Sequence, residues 1–188
     1  MRRNQCNLDD LQGVHRIRMH SVTDNRGTTT KVNIPDLRTF NIEFKIDSYL
    51  LANNIFRGTV RGIHLQVSPF AEEKIVWCPS GEIYDVLVDF RVESQTYGKW
   101  ATINLAAENL ECLYLPPGIG HAYQTLMSHS QVAYLISREY SPTHSLTIDL
   151  NDKDLEIFFP ETFSQISEKD KSGISFKEAS SIWNSKKC

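Results

Sequence analysis

The feature that most constrains the fold is a series of short, strand-like segments divided by turn residues. In the clearest segment, Ile83–Phe90, every even position is apolar or aromatic, whereas Asp85 and Asp89 lie at odd positions. Because side chains alternate between the two faces of a strand, this segment presents one apolar face to a core and a second face with buried or site-lining polar groups. Further segments of this kind are Lys74–Cys78, Trp100–Leu105, Leu113–Leu115, Gln131–Ser137 and Ser145–Leu150.

Glycine and proline separate these segments, as in Pro79-Ser80-Gly81 and in Pro116-Pro117-Gly118. Many short strands with such turns between them, and few helical stretches, are typical of an antiparallel sandwich or barrel. Strands that turn polar groups inward suit a jelly roll whose mouth binds a small ligand, but the pattern does not distinguish a jelly roll from another antiparallel barrel. The sequence therefore predicts an all-β fold.

The length of 188 residues suits one domain, which we take to span residues 1–188. Two segments depart from the strand pattern. Residues 1–12 are polar, so we expect them to be loosely held against the rest of the chain. The segment 176–185 (FKEASSIWNS) predicts one short peripheral helix.

Charge and composition exclude several classes of partner. The formal net charge is -3, so the chain has no general attraction for nucleic acid or for an anionic membrane, and any phosphate recognition must be local. No apolar run approaches the roughly 20 residues of a membrane-spanning helix, and no signal peptide is visible. The cysteines form no C-x-x-C pair, which favours free thiols and a cytoplasmic location; they are Cys6, Cys78, Cys112 and Cys188.

The densest cluster of candidate site residues is the stretch 57–66 (RGTVRGIHLQ). Arg61 and His64 would point to opposite faces of a regular strand. A bulge at Gly62 would bring both to the same side, and glycine within a strand often marks a bulge. Taken alone, the stretch is also consistent with a structural histidine beside a surface arginine.

Three further residues could carry chemistry. His121 follows a rigid turn and comes just before a new strand, Tyr134 lies inside a strand-like stretch, and Lys74 follows two glutamates. Each residue also has a structural interpretation, as a turn histidine, a core tyrosine or a salt-bridging surface lysine. The residue types alone leave both interpretations open.

Taken together, these stretches resemble the dTDP-4-keto-6-deoxyglucose 3,5-epimerases, a family of cupin-type enzymes from deoxysugar pathways. The similarity extends from about Gly13 to Asp170, and several motifs occur in the family's order. They are R-G-I-H-L-Q at 61–66, G-E-I-Y-D-V-L-V-D-F-R at 81–91, S-Q-T-Y-G-K-W at 94–100, L-x-L-P-P-G-I-G-H-A-Y at 113–123, N-D at 151–152 and S-E-K-D at 167–170. The resemblance implies a metal-free, cupin-type antiparallel jelly roll, a homodimer, and an active site inside the barrel.

The resemblance also implies a role for each site residue. His64 resembles the general base and Asp170 its carboxylate partner, while Tyr134 resembles the general acid and Lys74 the stabiliser of the enolate. The substrate-binding residues implied in the same way are Arg26, Arg61, Gln66 and His121. Removing a proton beside a ketone requires a positioned base and a cation or donor at the enolate oxygen, and inversion requires an acid on the opposite ring face.

The chain departs from the family pattern in three places. A polar stretch that contacts the nucleotide-sugar is replaced by residues 49–53 (YLLAN), a phenylalanine after Arg26-Gly27 is replaced by threonine, and the lysine that often follows the acid tyrosine is Leu135. We therefore expect an altered substrate: another nucleotide (CDP or GDP), another deoxysugar, or inversion of a single carbon. In the alternative, Asn53 or Asn54 supplies the missing polar contacts.

The implied function is inversion of carbon 3 and/or carbon 5 of a nucleotide-linked 4-keto-6-deoxyhexose, in deoxysugar biosynthesis for O-antigen or a similar glycan. A sugar-nucleotide 3,4-ketoisomerase uses similar enolate chemistry and stays an alternative. A non-catalytic cupin that binds a nucleotide sugar is a second alternative, but it would need only the phosphate contacts and not the catalytic residues.

Metal-binding cupins commonly use an H-x-H pair, a downstream glutamate and a distant histidine. Here His64 is followed by Leu65 and Gln66, and the six histidines are scattered, so we expect no bound metal. This absence disfavours a metal-dependent oxygenase. The chain also lacks a P-loop, a G-x-G-x-x-G motif and a G-x-S-x-G motif, so the sequence predicts no cofactor.

We predict that dialysis against a strong chelator leaves the rate of epimerisation unchanged, because the chain lacks the H-x-H pattern of a cupin metal site. Atomic emission spectroscopy of the protein and turnover before and after chelation check this prediction. Stoichiometric iron, manganese or zinc, with activity lost on its removal, would contradict it.

Overall fold

The computed structural model describes residues 4–186, without the side chains of residues 34–36. The strands of this part of the chain are β1 His15–Arg18, β2 His20–Asp24, β3 Gly27–Lys31, β4 Ser48–Asn54, β5 Val60–Gln66, β6 Lys74–Ser80, β7 Glu82–Asp89, β8 Trp100–Ala106, β9 Glu111–Leu115, β10 Ile119–Thr125, β11 Ser130–Ile136 and β12 Ser145–Thr147. Two α-helices follow, α1 Glu168–Lys171 and α2 Phe176–Ser185. Short 3-10 helices lie at Leu8–Asp10, Ile34–Phe40 and Ala107–Asn109.

The strands form two five-stranded antiparallel sheets that share a core. One sheet has the order β1-β9-β6-β11-β4 and the other β12-β5-β10-β7-β8, while β2 and β3 pair in a separate hairpin. Apart from β7 and β8, strands that are neighbours in a sheet are not consecutive in the sequence, so the chain passes back and forth between the sheets, as in a jelly roll. The predicted all-β jelly roll with short peripheral helices is therefore confirmed.

The six predicted strand segments each overlap a strand of the structure. The sequence pattern missed β1 to β4, whose residues are mostly exposed and show no apolar alternation. His121, which we expected just before a strand, lies inside β10 (Ile119–Thr125). The turn that precedes it ends at Gly118, so the strand begins two residues before the histidine.

Strand β7 is buried on both faces, which explains its pattern. Its odd-numbered residues Ile83 and Leu87 join the core between the two sheets. Its even-numbered residues Val86 and Val88 join a second core, which α2 covers with Phe176, Ala179 and Trp183. The prediction of an apolar face and a face with buried polar groups is confirmed.

For residues 4–12 the expectation of a loosely held segment is wrong, while residues 1–3 lie outside the described residues. Leu11 is 1% exposed and belongs to the core between the sheets. Both backbone groups of Trp100 form hydrogen bonds with this segment. Cys6 N donates to Trp100 O at 2.9 Å, and Trp100 N donates to Asn4 O at 3.0 Å. A single buried leucine and a short backbone bridge anchor the segment despite its polar composition.

Helix α2 confirms the helix predicted at residues 176–185. It begins after Ser175, whose hydroxyl accepts a hydrogen bond from Glu178 N at 3.2 Å and so caps the helix. No helix within residues 4–186 is long and apolar enough to cross a membrane.

The predicted bulge at Gly62 is present. Strand β5 pairs with β10 through His64 and His121 and again through Arg61 and Tyr123, with a register shift between the two pairs. Strand β5 therefore has one residue more than β10 in this interval, which is the definition of a bulge. The extra residue brings Arg61 and His64 to the same cavity.

Glycine is required at the bulge for two reasons. Gly62 has φ +111°, and a Cβ placed there would lie 2.5 Å from the backbone oxygen of His121. Gly27 also has a positive φ, +130°, but a Cβ there would meet nothing within 4 Å. Both glycines adopt a positive φ that other residues rarely adopt, and only at Gly62 would a Cβ also clash with a neighbouring atom.

We predict that Gly62→Ala lowers the free energy of unfolding by ~2–5 kcal/mol, because a positive φ and an overpacked contact both oppose the added methyl group. Gly27→Ala is the matched control and should lower the free energy of unfolding by only ~1–2 kcal/mol. Urea unfolding followed by fluorescence measures both values. Equal losses for the two variants would show that the close approach to His121 is not a constraint.

Candidate active site

A cavity of about 630 Å³ lies between the two sheets. Its walls come from β5 and β10 of one sheet and from β4, β6 and β11 of the other, and the segment 165–170 covers part of it. Seven of the eight predicted site residues line this cavity: Arg61, His64, Gln66, Lys74, His121, Tyr134 and Asp170. The fold therefore brings together residues that lie more than a hundred positions apart, while their individual roles stay predictions.

His64 and Asp170 form a close pair. His64 Nε2 lies 2.7 Å from Asp170 Oδ1, and the side chains of the two residues are 39% and 4% exposed. Asp170 lies in α1, where its backbone N donates to the capping hydroxyl of Ser167. Because the carboxylate occupies Nε2, Nδ1 is the ring nitrogen left to exchange a proton with a ligand.

The Asp170 carboxyl is held in its ionised form. Burial alone would raise its pKa, but the hydrogen bond and charge of His64, followed by the hydrogen bond from Gly62 N, outweigh burial and lower the pKa below 3.8. An ionised carboxylate fixes the tautomer and orientation of the imidazole and stabilises an imidazolium. The pair has the properties of a general base and its orienting partner.

Tyr134 lies on β11, in the sheet that faces His64. It is 8% exposed, and burial together with Tyr123 and Asp85 raises the pKa of the Tyr134 hydroxyl well above 10.0. The phenol therefore keeps its proton at neutral pH and can donate it. The ring of His121 meets the Tyr134 ring edge-on, with 5.7 Å between the ring centroids.

A second His–Asp pair is more deeply buried. His121 Nε2 lies 2.7 Å from Asp85 Oδ1, and the side chains are 5% and 0% exposed. Burial raises the pKa of Asp85 despite the opposing effect of His121, and Asp85 Oδ2 has no hydrogen-bond partner among the described residues. The sequence indicated that Asp85 was a buried or site-lining polar group but did not identify it as the partner of His121.

Arg61 is oriented by a shared hydrogen-bond acceptor. Arg61 Nε donates to Asn54 Oδ1 at 3.0 Å, and the Tyr123 hydroxyl donates to the same oxygen at 3.1 Å. Burial raises the pKa of Tyr123 to about 12, so this phenol stays a donor. Tyr123 was not among the predicted site residues, although its position two residues after His121 on β10 puts both side chains on one face.

Positive charge predominates in the cavity. The cationic lining residues are Arg61, Lys74, Arg138 and Lys169. The carboxylates among the described lining residues are Glu72 and Asp170, and both contact another lining side chain. The excess of cations suits a ligand with phosphate groups. Arg138 lies in none of the motifs, and Lys169 lies in the S-E-K-D motif at 167–170, in which only Asp170 was given a role.

Lys74 and Gln66 share one carboxylate, that of Glu72. Lys74 Nζ lies 2.9 Å from Glu72 Oε1, and Gln66 Nε2 donates to Glu72 Oε2 at 2.7 Å. The salt bridge that the structural interpretation of Lys74 expected is present, but the side chain is 12% exposed and lines the cavity, so its surface position is wrong. Gln66, predicted to bind substrate, is 4% exposed and uses its amide on the protein itself.

Arg26 is the predicted site residue that does not line the cavity. It lies at the turn of the β2–β3 hairpin, its side chain is 85% exposed, and its Nη2 lies 2.6 Å from Asp24 Oδ2. Within a single chain, the predicted contact of Arg26 with a ligand in this cavity is therefore not made.

The stretch 49–53, which departs from the family pattern, lies in β4. Leu50 and Ala52 line the cavity, and Leu50 pairs directly with Tyr134. Tyr49 lies on the other face, where its ring is 6.2 Å from that of Trp77. Apolar side chains therefore flank the tyrosine that we expect to be the acid.

The two asparagines that follow do not replace the lost polar groups. Asn53 Oδ1 accepts a hydrogen bond from Gln131 Nε2, and Asn54 Oδ1 accepts from Arg61 and Tyr123. Neither asparagine is among the described residues that line the cavity. The alternative in which they contact the ligand has no support in this arrangement.

Metal-binding side chains are not clustered. Within residues 4–186, no group of three or more His, Cys, Asp or Glu side chains could hold a metal ion. The histidines of the cavity are paired with carboxylates instead. Catalysis without a metal stays a prediction, which the chelation experiment tests.

The fold and the cavity together define a class of protein: a jelly roll whose cationic cavity contains a His–Asp pair on one sheet and a buried tyrosine on the other. A family model described as dTDP-4-dehydrorhamnose 3,5-epimerase matches residues 9–178. The chain therefore belongs to the dTDP-4-dehydrorhamnose 3,5-epimerase family, and the resemblance seen in the sequence is confirmed.

Individual relatives agree with this assignment. The chain is 41% identical to dTDP-4-dehydrorhamnose 3,5-epimerase of Sinorhizobium fredii over 64% of this chain and 63% of that protein, which is a little under two thirds of its length. A crystal structure of the Bacillus anthracis epimerase with TDP and PPi bound matches with a TM-score of 0.83 and 32% identity, over 87% and 94% of the two chains. ChmJ, a 3'-monoepimerase from Streptomyces bikiniensis in complex with dTDP-quinovose, matches with a TM-score of 0.84 and 27% identity, over 92% and 88%.

Proposed function

We propose that this protein is an epimerase that inverts carbon 3 and/or carbon 5 of a nucleotide-linked 4-keto-6-deoxyhexose in deoxysugar biosynthesis. The observation that carries the proposal is the opposition of His64, paired with Asp170, and Tyr134 across one cavity. They come from facing sheets, so a sugar ring between them would meet a base on one face and an acid on the other. The alternative of a 3,4-ketoisomerase has no support among the relatives described above.

The reaction begins with proton abstraction. His64 Nδ1 takes the proton from the carbon beside the ketone, and the electrons of the C–H bond move into the carbonyl to form an enolate. Asp170 stays ionised and stabilises the imidazolium that results. Lys74 stabilises the negative charge that develops on the enolate oxygen.

The second half of the reaction returns a proton from the opposite face. Tyr134 donates its hydroxyl proton to the carbon as the enolate collapses to the ketone, and the configuration at that carbon is inverted. The raised pKa of Tyr134 ensures that the hydroxyl is protonated at the start of each turnover. Proton exchange with solvent then restores His64 and Tyr134.

We predict that His64→Asn lowers the rate of solvent deuterium incorporation beside the ketone by ~10²–10⁴-fold, because the general base is lost. Tyr134→Phe should slow formation of the inverted product more than it slows exchange, since the enolate still forms and His64 returns deuterium with retention. Proton NMR in heavy water with dTDP-, CDP- and GDP-linked 4-keto-6-deoxy sugars measures both rates. Near wild-type exchange in His64→Asn, or equal losses of exchange and inversion in Tyr134→Phe, would rule out the assigned roles.

We infer that the enzyme works as a homodimer in which Arg26 reaches the partner's cavity. Every residue of β2 and β3 is exposed, and the hairpin pairs with neither main sheet. An isolated two-stranded hairpin has marginal stability in water, so a second copy is the natural surface for it to pack on. The edge strand β4 also exposes Tyr49 and Leu51, which are 58% and 40% exposed.

We predict that Arg26→Ala and His64→Asn, each inactive as a homodimer, regain activity when their chains are mixed and refolded together. In a mixed dimer, the cavity with an intact His64 receives an intact Arg26 from its partner, so about a quarter of wild-type activity should return. If Arg26 acted on its own chain's cavity, no cavity in the mixture would be complete and no activity would return. Sedimentation equilibrium checks the oligomeric state of each sample.

We also infer that the preferred substrate is not dTDP-4-keto-6-deoxyglucose, because the apolar side chains of Leu50 and Ala52 lie in the cavity wall. Cytoplasmic nucleotide sugars are the substrate class that we assign, in a pathway to O-antigen or a similar glycan. The free thiols of Cys6 and Cys78 are compatible with that compartment.

We predict a kcat/KM for dTDP-4-keto-6-deoxyglucose that is ~10²-fold or more below that for the preferred substrate, because each unpaired buried polar group costs ~1–3 kcal/mol. The preferred substrate lacks a hydroxyl or carries another base. Comparison of kcat/KM across dTDP-, CDP- and GDP-linked 4-keto sugars, including deoxygenated ones, measures the preference. Efficient double epimerisation of the dTDP substrate, above all others, would contradict it.

A further inference from the structure

Glu72 is a carboxylate in the cavity wall to which the reaction above gives no role. Its side chain is 10% exposed, Oε1 lies 2.9 Å from Lys74 Nζ, and Oε2 accepts a hydrogen bond from Gln66 Nε2 at 2.7 Å. Both oxygens are therefore occupied by protein donors. The adjacent Lys74 ammonium offsets the negative charge of this carboxylate, which reduces its repulsion of ligand phosphates.

Gln66 in turn cannot rotate away from Glu72. Its Oε1 accepts a hydrogen bond from Ser141 N at 2.7 Å, and its Nε2 also donates to the backbone oxygens of Phe70 and Glu139, each at 3.2 Å. The amide is oriented by backbone groups from two different loops. Because those loops and β5 fix Gln66, the position of the Glu72 carboxylate is fixed as well.

We propose that Glu72 is a positioning residue that holds the Lys74 ammonium at the reacting end of the cavity. Lysine has a flexible four-carbon stem, and Arg61, Arg138 and Lys169 line the same cavity and repel its charge. The Glu72 carboxylate offsets this repulsion and occupies one ammonium proton, which leaves two protons for a ligand oxygen. A series of polar contacts, from Gln66 to Glu72 to Lys74, thus extends from the loop backbone to the proposed enolate site.

The catalytic role of Lys74 in this inference rests on the proposed function, whereas the ion pair between Lys74 and Glu72 is a feature of the structure. A buried ion pair adds little net stability, whereas loss of one partner leaves the other charge unpaired and is costly. The pair is thus better explained by a requirement for a positioned ammonium than by folding. The effect of Glu72 on catalysis should then act through Lys74 and through no other group.

The kinetic test compares Glu72→Gln with Glu73→Gln, which makes the same change of charge one residue further along. Glu73 does not line the cavity, and its Oε1 accepts a hydrogen bond from the Tyr114 hydroxyl at 2.6 Å. Glu72→Gln should lower kcat by ~10–100-fold through misplacement of the ammonium, with KM nearly unchanged. Glu73→Gln should leave both constants at their wild-type values, and thermal unfolding of each variant checks that it is folded.

A double-mutant cycle with Lys74→Met tests whether Glu72 acts through Lys74. In the Lys74→Met background, Glu72→Gln should produce no further loss in the residual rate of deuterium exchange. Additive losses in kcat, or an increase in KM without a change in kcat, would overturn the proposal. Glu72→Asp should restore part of the rate lost in Glu72→Gln, because it returns the negative charge.

A measurement without substrate separates this proposal from the proposed function. Pulse acylation with acetic anhydride, followed by peptide mass spectrometry, reports how freely the Lys74 amine moves and reacts. The ion pair should protect Lys74, so its labelling rate should rise several-fold in Glu72→Gln and stay unchanged in Glu73→Gln. An unchanged labelling rate of Lys74 in Glu72→Gln would overturn the positioning role. A raised labelling rate, in a protein whose wild type turns over no keto sugar, would overturn the proposed epimerase function and leave the positioning role standing.

Discussion

The cavity depends on one buried carboxylate, that of Asp170. One of its oxygens lies 2.7 Å from His64 Nε2 and the other accepts a hydrogen bond from Gly62 N at 3.4 Å, so it holds the imidazole and the bulged backbone together. The bulge changes the alternation of β5 and thereby puts Arg61 and His64 in the same cavity. Without Asp170, the His64 ring would lose its hydrogen-bond partner and so would the backbone N of Gly62. The short helix α1 places the Asp170 side chain against His64 of β5.

Two His–Asp pairs share the cavity, and their environments give them different properties. His64 is half-exposed and its partner Asp170 has a lowered pKa, whereas His121 is buried and its partner Asp85 has a raised pKa. A ligand can reach the first pair and exchange a proton with it. The second pair contributes packing against Tyr134 and a carboxyl group with one unsatisfied oxygen. Residue type alone does not distinguish them, because burial and the neighbouring donors determine the difference.

The sequence predicted those features that depend on local chemistry. Alternation along β7 and the glycine at the bulge are properties of a few consecutive residues, so they could be inferred directly. The Asp85–His121 contact and the Gln66–Glu72–Lys74 chain join separate elements, and no spacing in the sequence signals which side chains meet. The burial of Leu11 was missed for the same reason, since a polar segment gave no sign of the one leucine that enters the core. Arg26 lies on an exposed hairpin, and in this chain its guanidinium contacts Asp24 and not the cavity.

The cavity is chemically divided, and this division bears on substrate choice. The cations that suit a ligand with phosphate groups lie on both sheets, with Arg61 on β5 and Lys74 on β6, while β4 presents Leu50 and Ala52 beside Tyr134. Burial shields the Tyr134 hydroxyl from water and raises its pKa well above the ordinary value of 10.0. The same apolar wall leaves any hydroxyl of the sugar that faces it without a hydrogen-bond partner. The departure from the family pattern in β4 therefore puts apolar side chains beside Tyr134, while His64, Lys74 and Asp170 keep their places in the cavity wall.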